Sequence, residues 1–548
     1  MKSSRRSRRR SEEDSDISSR DVAARRKEAI PQFLFCFLCL IGILGAAAPW
    51  GLLHGLLFGG AGLLMAAFPP RFQRPAGWLA LGGLWIVLSG AAFLPSAVLG
   101  NLPWRTQLAA AGIQLSGQVS VLPTETACTL ASMAMAGLGA LWIIGQTGNS
   151  SGKMKLACAW VLTVVVFAAA DFLLRGLGEM PKRLSDFGFF PGRNHTACLL
   201  VMGSVTALGI FVQSLRQRIA GTSVSLETSI FSALSLAFLV TCLFTRSISR
   251  AGIVLLVVAV FLWYFLLGKK YLGGHSRKAT TLLVIAGVLM FFAQETIVKE
   301  RLFSTLGKAG QTATVELGST NAENALNDVD GRVGIQRDAW RMIGDAPWTG
   351  HGAGTFRFIF PQYQKFSATI DDKLAYHPES SWLWIAAENG IPAMVVLVIL
   401  AVWIFTQAAR DLRHKKIRAL RAGCCAAAAV PLLHGFVDVS AHMVGVLWSA
   451  ALMTSLALPG EWKPAGRAQR SVWRLLGCVC LAWGLILLKG YIQQDPVFPS
   501  EKAVQIVKKS LDTYHYDIKK QTATTPESLI LPETRSHLDP LEIAMEDL

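Results

Sequence analysis

Long apolar stretches alternate with short polar segments along most of the 548-residue chain. Most of these stretches approach the length that an α-helix needs to cross a hydrocarbon core of about 30 Å. The pattern predicts an all-α polytopic membrane protein with twelve or thirteen transmembrane helices. The candidate spans are 32–49, 51–68, 76–98, 125–146, 156–174, 196–213, 228–245, 251–268, 280–294, 382–406, 423–438, 441–458 and 474–491.

One large polar segment, residues 295–381, interrupts this ladder of apolar spans. Loops of this kind carry function while a scaffold positions them, so we expect the chemistry there. Gly390-Ile391-Pro392 should break or kink the span that follows the loop. The predicted parts of the chain are a basic tail (1–30), spans one to nine (31–294), the loop (295–381), spans ten to thirteen (382–491) and a polar tail (492–548).

Within the loop, residues 303–330 are rich in Ser, Thr and Asn and are predicted to be irregular. A helix is predicted from Gly331 until Pro347 stops it. Its spacing places Arg332 and Gln336 on one face.

Charge and composition fit a lipid environment. The chain is 52% hydrophobic and 16% charged, with a mean hydropathy of +0.41, whereas soluble domains carry about a quarter charged residues. The loops after spans two, four, six, eight, ten and twelve are basic. This alternation predicts a cytoplasmic N-terminus, with the large loop and the C-terminal tail outside. It also accounts for the net charge of +17 without a nucleic-acid partner.

The sequence gives no sign of a metal or a cofactor. All ten cysteines fall in or beside apolar spans, where Cys behaves as a small hydrophobe. The large loop contains no cysteine, so neither a disulfide framework nor a thiolate zinc site is predicted there. The glycines at 350, 352 and 354 permit unusual backbone conformations but lack the spacing of a dinucleotide fingerprint. We expect neither a metal nor a cofactor.

Several ionisable or polar residues fall at the predicted outer ends of spans or in the loop: Arg193, Asn194, His195, Arg246, Arg250, Arg332, His377 and Glu379. Such residues are costly near lipid and are therefore candidates for function. Each arginine could instead be an interfacial anchor. Because Arg recognises phosphate in a bidentate manner, the cluster predicts a diphosphate held at the outer surface. We interpret His54, His434 and His442 as packed side chains, and Asp171 and Asp438 as weaker candidates.

Four short motifs follow one another in the second, third and fourth fifths of the chain, and their order is informative. They are F-F-P-G-R-N-H-T-A (189–197), S-R-A-G (249–252), W-R-M-I-G-D-A-P-W-T-G-H-G-A-G-T-F (340–356) and H-P-E-S-S-W-L-W-I-A-A-E-N-G (377–390). Over residues 185–395 this pattern resembles the O-antigen ligase and polymerase superfamily of bacterial envelope glycan biosynthesis.

The resemblance implies a C-type membrane glycosyltransferase in the bacterial inner membrane, with its catalytic loop in the periplasm. Its donor would be a polyprenyl-diphosphate-linked glycan, and its acceptor a hydroxyl of a lipid A core, another glycan or a protein. Arg250 and Arg332 would bind the diphosphate, with Arg193 and Arg246 nearby. Further cleft residues would be Asn194, His195, Gln336, Gly350, His351, Gly352, Gly354 and Ser380.

The chain departs from the family pattern at the catalytic loop. Many members have H-P-H-N where this sequence has His377-Pro378-Glu379-Ser380. Either Glu379, which the sequence favours, or His377 would accept the acceptor's proton. Glu379 could instead cap the helix that follows it.

The expected reaction is a metal-independent, inverting glycan transfer. Ligase, polymerase and protein glycosyltransferase activities all remain open. A transporter or flippase is a rival class, but it would place ionisable residues at the membrane midplane, and here they gather at the outer interface.

Overall fold

The fold is taken from a computed structural model of the 548-residue chain. It describes residues 30–46, 48, 50–70, 75–100, 102–110, 115–146, 150–176, 189–190, 192–221, 225–247, 249–267, 320–364, 375–410, 412, 417–458 and 464–503. These ranges include fifteen helices of eight or more residues. They are α1 (Ile30–Leu44), α2 (Trp50–Ala67), α3 (Pro75–Ser89), α4 (Pro103–Ala110), α5 (Pro123–Ile144), α6 (Ser150–Gly176), α7 (Arg193–Ile219), α8 (Leu226–Cys242), α9 (Arg250–Leu267), α10 (Thr320–Asp345), α11 (Ser381–Asn389), α12 (Ile391–Arg410), α13 (Arg418–His434), α14 (Val444–Ala457) and α15 (Arg467–Ile492).

The predicted all-α polytopic membrane fold is confirmed. Among the described residues, seven helices are long and apolar enough to cross a membrane and four more are shorter apolar helices. Twelve of the thirteen predicted spans coincide with a helix, and the ninth, 280–294, lies outside the described residues. The predicted break at Gly390 separates α11 from α12.

The helix in the large loop begins earlier than predicted. It starts at Thr320 rather than Gly331, so the prediction of irregular chain is wrong for residues 320–330, while residues 303–319 lie outside the described part. The segment Ala322–Leu326 contains Ala, Glu and Leu, which favour helix and outweigh the polar residues around them. The helix ends at Asp345, just before Pro347, as predicted.

The first and last long helices of the described bundle, α2 and α15, pack unusually closely. A Cβ on Gly62 would lie 2.3 Å from the Leu481 nitrogen, and a Cβ on Gly484 would lie 2.3 Å from the Gly59 nitrogen. The backbones of α2 and α15 can approach this closely because glycine has no side chain to separate them, as in small-residue interfaces between membrane helices.

Helix α7 is the most enclosed of the long apolar helices, with 78% of its apolar window buried. It contacts α6, α8, α9 and α13. Its packing therefore fixes the position of its first turn, where the predicted site residues Arg193, Asn194 and His195 lie. We call the bundle end at which α7, α9 and α11 begin the loop end, and the other end the opposite end.

Cations at the opposite end are bound by backbone carbonyls. The Lys153 ammonium donates to the carbonyls of Leu456 and Leu458, and Arg421 Nε donates to the Ala457 carbonyl at 2.7 Å. Those carbonyls belong to the end of α14, where an α-helix leaves acceptors without partners in its own backbone. Lys153 and Arg421 therefore cap α14.

Candidate functional site

The glycine-rich turn of the loop packs against the C-terminal end of α11. Gly350, Gly352 and Gly354 have φ angles of 62°, 104° and 79°, a region in which L side chains are strained. A Cβ on Gly350 would lie 2.3 Å from the Glu388 backbone, and the Gly352 N–H donates to the Glu388 carbonyl at 2.8 Å. The predicted need for unusual backbone conformations at these glycines is confirmed.

The side chain of Glu388 clasps the same turn. Its buried carboxylate accepts hydrogen bonds from the Gly354 N–H at 2.8 Å and the Phe356 N–H at 3.0 Å. Two donors on one carboxylate satisfy oxygens that would otherwise be buried without partners. These hydrogen bonds join the 340–356 and 377–390 motifs, whose contact the sequence alone does not predict.

His351, a predicted cleft residue, lies in the packed interior of the loop region. Its ring nitrogen Nε2 is 2.9 Å from the Met342 carbonyl, and its ring lies beside those of Trp104 and Tyr363. Burial lowers the pKa of His351 to about 4, so the ring is neutral at physiological pH. In this position His351 supports the turn.

The start of α11 is capped by Ser380. The Ser380 hydroxyl accepts from the Leu383 N–H at 3.5 Å and donates to the Gly435 carbonyl at 3.0 Å. The side-chain cap predicted as an alternative role for Glu379 is therefore supplied by its neighbour. Glu379 itself has a φ of 51°, which is uncommon for a residue with a side chain.

The carboxylate of Glu379 lies between a histidine and an arginine. Its Oε1 is 3.6 Å from His377 Nδ1, and its Oε2 is 3.8 Å from Arg332 Nε. The Gln336 amide donates to the Glu379 carbonyl at 3.2 Å. Four residues that the sequence assigned to the site therefore meet in one place.

Desolvation lowers the pKa of His377, although the Glu379 carboxylate opposes this effect. The imidazole of His377 is therefore neutral near pH 7, and a neutral imidazole can accept a proton.

A second His–carboxylate pair lies near His377, at the first turn of α7. His195 Nε2 is 3.2 Å from Asp438 Oδ1, and both side chains are buried. Burial alone would raise the pKa of Asp438, but hydrogen bonding and charge from its partners, His195 first, hold that pKa below its ordinary value. The preceding residue, Asn194, accepts a 2.7 Å hydrogen bond from the Ser249 hydroxyl, which ties the start of α7 to the residue before α9.

Two further histidines join this network from the segment between α13 and α14. His434 Nδ1 is 2.9 Å from the Ser440 hydroxyl, which donates to Asp438 Oδ1 at 2.7 Å. His442 Nδ1 is 3.3 Å from the Ser381 hydroxyl. Sequence reasoning interpreted both histidines as packed side chains and left them out of the site.

A cavity of about 1070 Å³ runs beside these residues along the bundle. Its wall includes residues from Glu125, in the first turn of α5, to Ile144, in its last, and is mostly apolar. At the loop end the wall includes His377 and His442. The space could hold a lipid chain along its apolar length and a polar group at the loop end.

The indole of Trp384 stacks with two imidazoles at the end of this cavity. The ring centroids of Trp384 and His442 are 4.2 Å apart with an interplanar angle of 15°, and those of Trp384 and His377 are 5.8 Å apart at 28°. All three side chains line the cavity. Among the described residues, Glu379 and Arg332 do not contribute to its wall.

The structure describes the other three predicted arginines in less detail. Arg193 is exposed at the first residue of α7. The backbone of Arg246 is described in the π-helical turn that follows α8, and that of Arg250 at the start of α9, but their side chains lie outside the described part. Their predicted contact with a diphosphate stays a prediction.

The residues that sequence reasoning left out of the site share a signal that it could have used. His434, Asp438 and His442 fall within nine positions in a strongly apolar part of the chain. The charge pattern of the loops assigns this segment to the same side as His195. Several ionisable residues converging at one membrane interface indicate function more strongly than each does alone.

Residues 234–398 match the family model described as O-antigen ligase. The resemblance drawn from the four motifs is confirmed by this match, which contains the 249–252, 340–356 and 377–390 motifs. The matched region also includes α10, α11 and the four residues Arg332, Gln336, His377 and Glu379 that meet beside them. Members of this family are membrane glycosyltransferase-like enzymes, ligases and polymerases. No curated protein matches the chain.

Proposed function

We propose that this protein transfers a glycan from a polyprenyl diphosphate to an acceptor hydroxyl at the outer face of the bacterial inner membrane. The observation that carries the proposal is the long apolar cavity that ends on His377 beside the Glu379–Arg332 pair. A lipid carrier needs an apolar channel, and its diphosphate needs a cation where the channel meets water. The O-antigen ligase match supports the same assignment.

The proposed reaction is a single displacement at the anomeric carbon. The acceptor oxygen forms a bond to that carbon while its bond to the diphosphate breaks, so the configuration inverts. The polyprenyl diphosphate leaves as an anion, and the acceptor proton passes to a base. Arg332, 37% exposed, neutralises charge that builds on the leaving group, together with Arg250 and, in support, Arg193 and Arg246. We propose that no metal takes part.

His377 is the better candidate for the base. Its ring lines the cavity, whereas Glu379 contacts it from outside the wall through Nδ1. At 3.6 Å from Nδ1, which is longer than a hydrogen bond, the carboxylate acts on the imidazole through its charge, and in this proposal Nε2 accepts the proton. The sequence favoured Glu379 as the base; the geometry favours Glu379 as the residue that positions His377.

The glycan profile of a deletion strain tests the function. Loss of long chains from lipid A with retention of lipid-linked chains would establish a ligase, and single-repeat glycans would establish a polymerase. An unchanged envelope glycan profile, with the native protein present in the parent strain, would refute both.

The orientation is tested by cysteine labelling in a variant without its native cysteines. An impermeant reagent applied to intact cells that lack an outer-membrane barrier should label Thr320→Cys. It should not label Arg410→Cys, at the exposed last residue of α12 at the opposite end. The reverse result would overturn the proposed topology.

A further inference from the structure

Asp438 receives hydrogen bonds from two serines through two different groups. Ser440 Oγ donates to its carboxylate at 2.7 Å, and Ser381 Oγ donates to its backbone carbonyl at 3.1 Å. A carbonyl and an ionised carboxylate can only accept. Each serine therefore uses its single hydroxyl hydrogen on Asp438.

Each serine must then accept, not donate, in its second hydrogen bond. Ser440 accepts from His434 Nδ1 at 2.9 Å, and Ser381 accepts from His442 Nδ1 at 3.3 Å. Both histidines consequently carry a hydrogen on Nδ1. Tautomers are inferred from such networks, and here the directions follow from the acceptor-only groups of Asp438.

The two histidines differ in their access to the cavity. His442 lines the cavity beside His377, whereas His434 is not among the residues that line it and its Nε2 is buried without a hydrogen-bond partner among the described residues. Burial lowers the pKa of His442 to about 3. Its ring is therefore neutral, with a hydrogen on Nδ1 and a lone pair on Nε2.

A lone pair on the cavity wall selects a particular kind of ligand. It accepts a hydrogen bond from a hydroxyl group but repels the oxygens of an ionised phosphate. Arg332, on the far side of the His377–Glu379 pair, has the opposite preference. The cavity wall at His442 thus suits hydroxyl groups, whereas Arg332, which lies outside that wall beyond Glu379, suits an anion.

We propose that His442 is a substrate-binding residue whose Nε2 accepts a hydrogen bond from a sugar hydroxyl of the acceptor, with Asp438 fixing its tautomer through Ser381. The inference rests on the proposed glycan transfer and adds a subsite for the acceptor. The stack with Trp384 holds the imidazole plane in place.

The test measures acceptor and donor KM separately with the full-length protein in lipid nanodiscs. The donor is a polyprenyl-diphosphate-linked glycan, and the acceptor probes are rough lipopolysaccharide and, for polymerisation, the lipid-linked single repeat. His442→Phe keeps an aromatic ring on Trp384 but removes both nitrogens. It should raise the acceptor KM about tenfold, as expected for one lost hydrogen bond, and leave the donor KM unchanged.

Two serine substitutions provide a matched pair. Ser381→Ala frees the His442 tautomer and should raise the acceptor KM about threefold, which carries the test if His442→Phe does not fold. Ser449→Ala, at a buried serine of α14 that does not line the cavity, should leave the acceptor KM unchanged. An unchanged acceptor KM in both His442→Phe and Ser381→Ala, or a rise in donor KM alone, would overturn the subsite. Absence of transfer by the wild-type protein with either probe would instead refute the proposed function.

Discussion

Buried ionisable side chains occur at both ends of the helical bundle, but their partners differ in kind. At the opposite end, Lys153 and Arg421 donate to backbone carbonyls at the end of α14. At the loop end, His195 and Asp438 pair with each other. A carbonyl of a packed helix cannot gain or lose a proton, so the first arrangement is fixed. Imidazoles and carboxylates can exchange protons and partners.

Access to the cavity separates the two ends further. His377 and His442 line the cavity at the loop end, whereas Lys153 and Arg421 do not contribute to its wall. Burial of a charge therefore does not by itself indicate a functional site. A buried charge indicates function when its partners titrate and a ligand can reach it. The following changes test that distinction.

Loss of an arginine at the loop end should have the largest effect. Arg332→Ala should lower transfer by about 10²–10³-fold, because charge on the leaving diphosphate is no longer compensated. Arg250→Ala should do the same, and Lys at either position should rescue only partly because it lacks the planar fork. The readout is kcat/KM in nanodiscs. Arg337→Ala, an exposed arginine on the same helix, should retain activity, and normal transfer by Arg332→Ala would remove the diphosphate assignment.

Substitutions in the His377–Glu379 pair should have the next largest effect. His377→Ala removes the proposed base, and Glu379→Gln removes the carboxylate that positions it. Each should lower kcat by about 10²-fold, measured with both variants present at wild-type levels in the membrane. Because Ser380 already caps α11, loss of a cap would not explain a defect in Glu379→Gln. Full activity in His377→Ala together with an inactive Glu379→Gln would make Glu379 the base.

The pH profile should show a smaller, graded effect. Desolvation lowers the pKa of His377, so the neutral, proton-accepting form persists below the ordinary histidine pKa of about 6.5. Transfer should be flat near pH 7 and fall by up to about tenfold per pH unit once the pH drops below the shifted pKa. Since the Glu379 carboxylate raises that pKa, Glu379→Gln should move the inflection to lower pH. An inflection that shifts upward would contradict this pairing.

At the opposite end, the expected effect is on stability alone. Lys153→Met keeps the length of the side chain but leaves the carbonyls of Leu456 and Leu458 without their donor. We expect a loss of about 1–3 kcal/mol and an unchanged kcat for the folded fraction, measured by thermal unfolding and transfer assays. Lys155→Met, at an exposed position two residues on, is the control. If fully folded Lys153→Met showed a large loss of kcat, Lys153 would contribute to catalysis as well as to stability, and the proposed difference between the two ends would be wrong.

Much of the fold could be predicted, because apolar length and breakers are local properties of the sequence. The positions of twelve spans and the break at Gly390 follow from them. Part of the site could also be predicted from the sequence, because Arg332, Gln336, His377 and Glu379 lie in one polar loop. Asp438 was only a weaker candidate in the sequence, because its partner His195 lies 243 positions earlier and no spacing encodes such a contact. The directions of the serine hydrogen bonds likewise require coordinates.

The close pairing of α2 with α15 has a consequence for how the protein is made. The glycine faces at Gly62 and Gly484 approach to backbone distance, yet more than 400 residues of chain separate them. During synthesis α2 enters the membrane long before its partner emerges from the ribosome. Chains that stall before α15 leave a groove in α2 open to lipid and to membrane quality control, so biogenesis of this protein is complete only when its last described long helix docks.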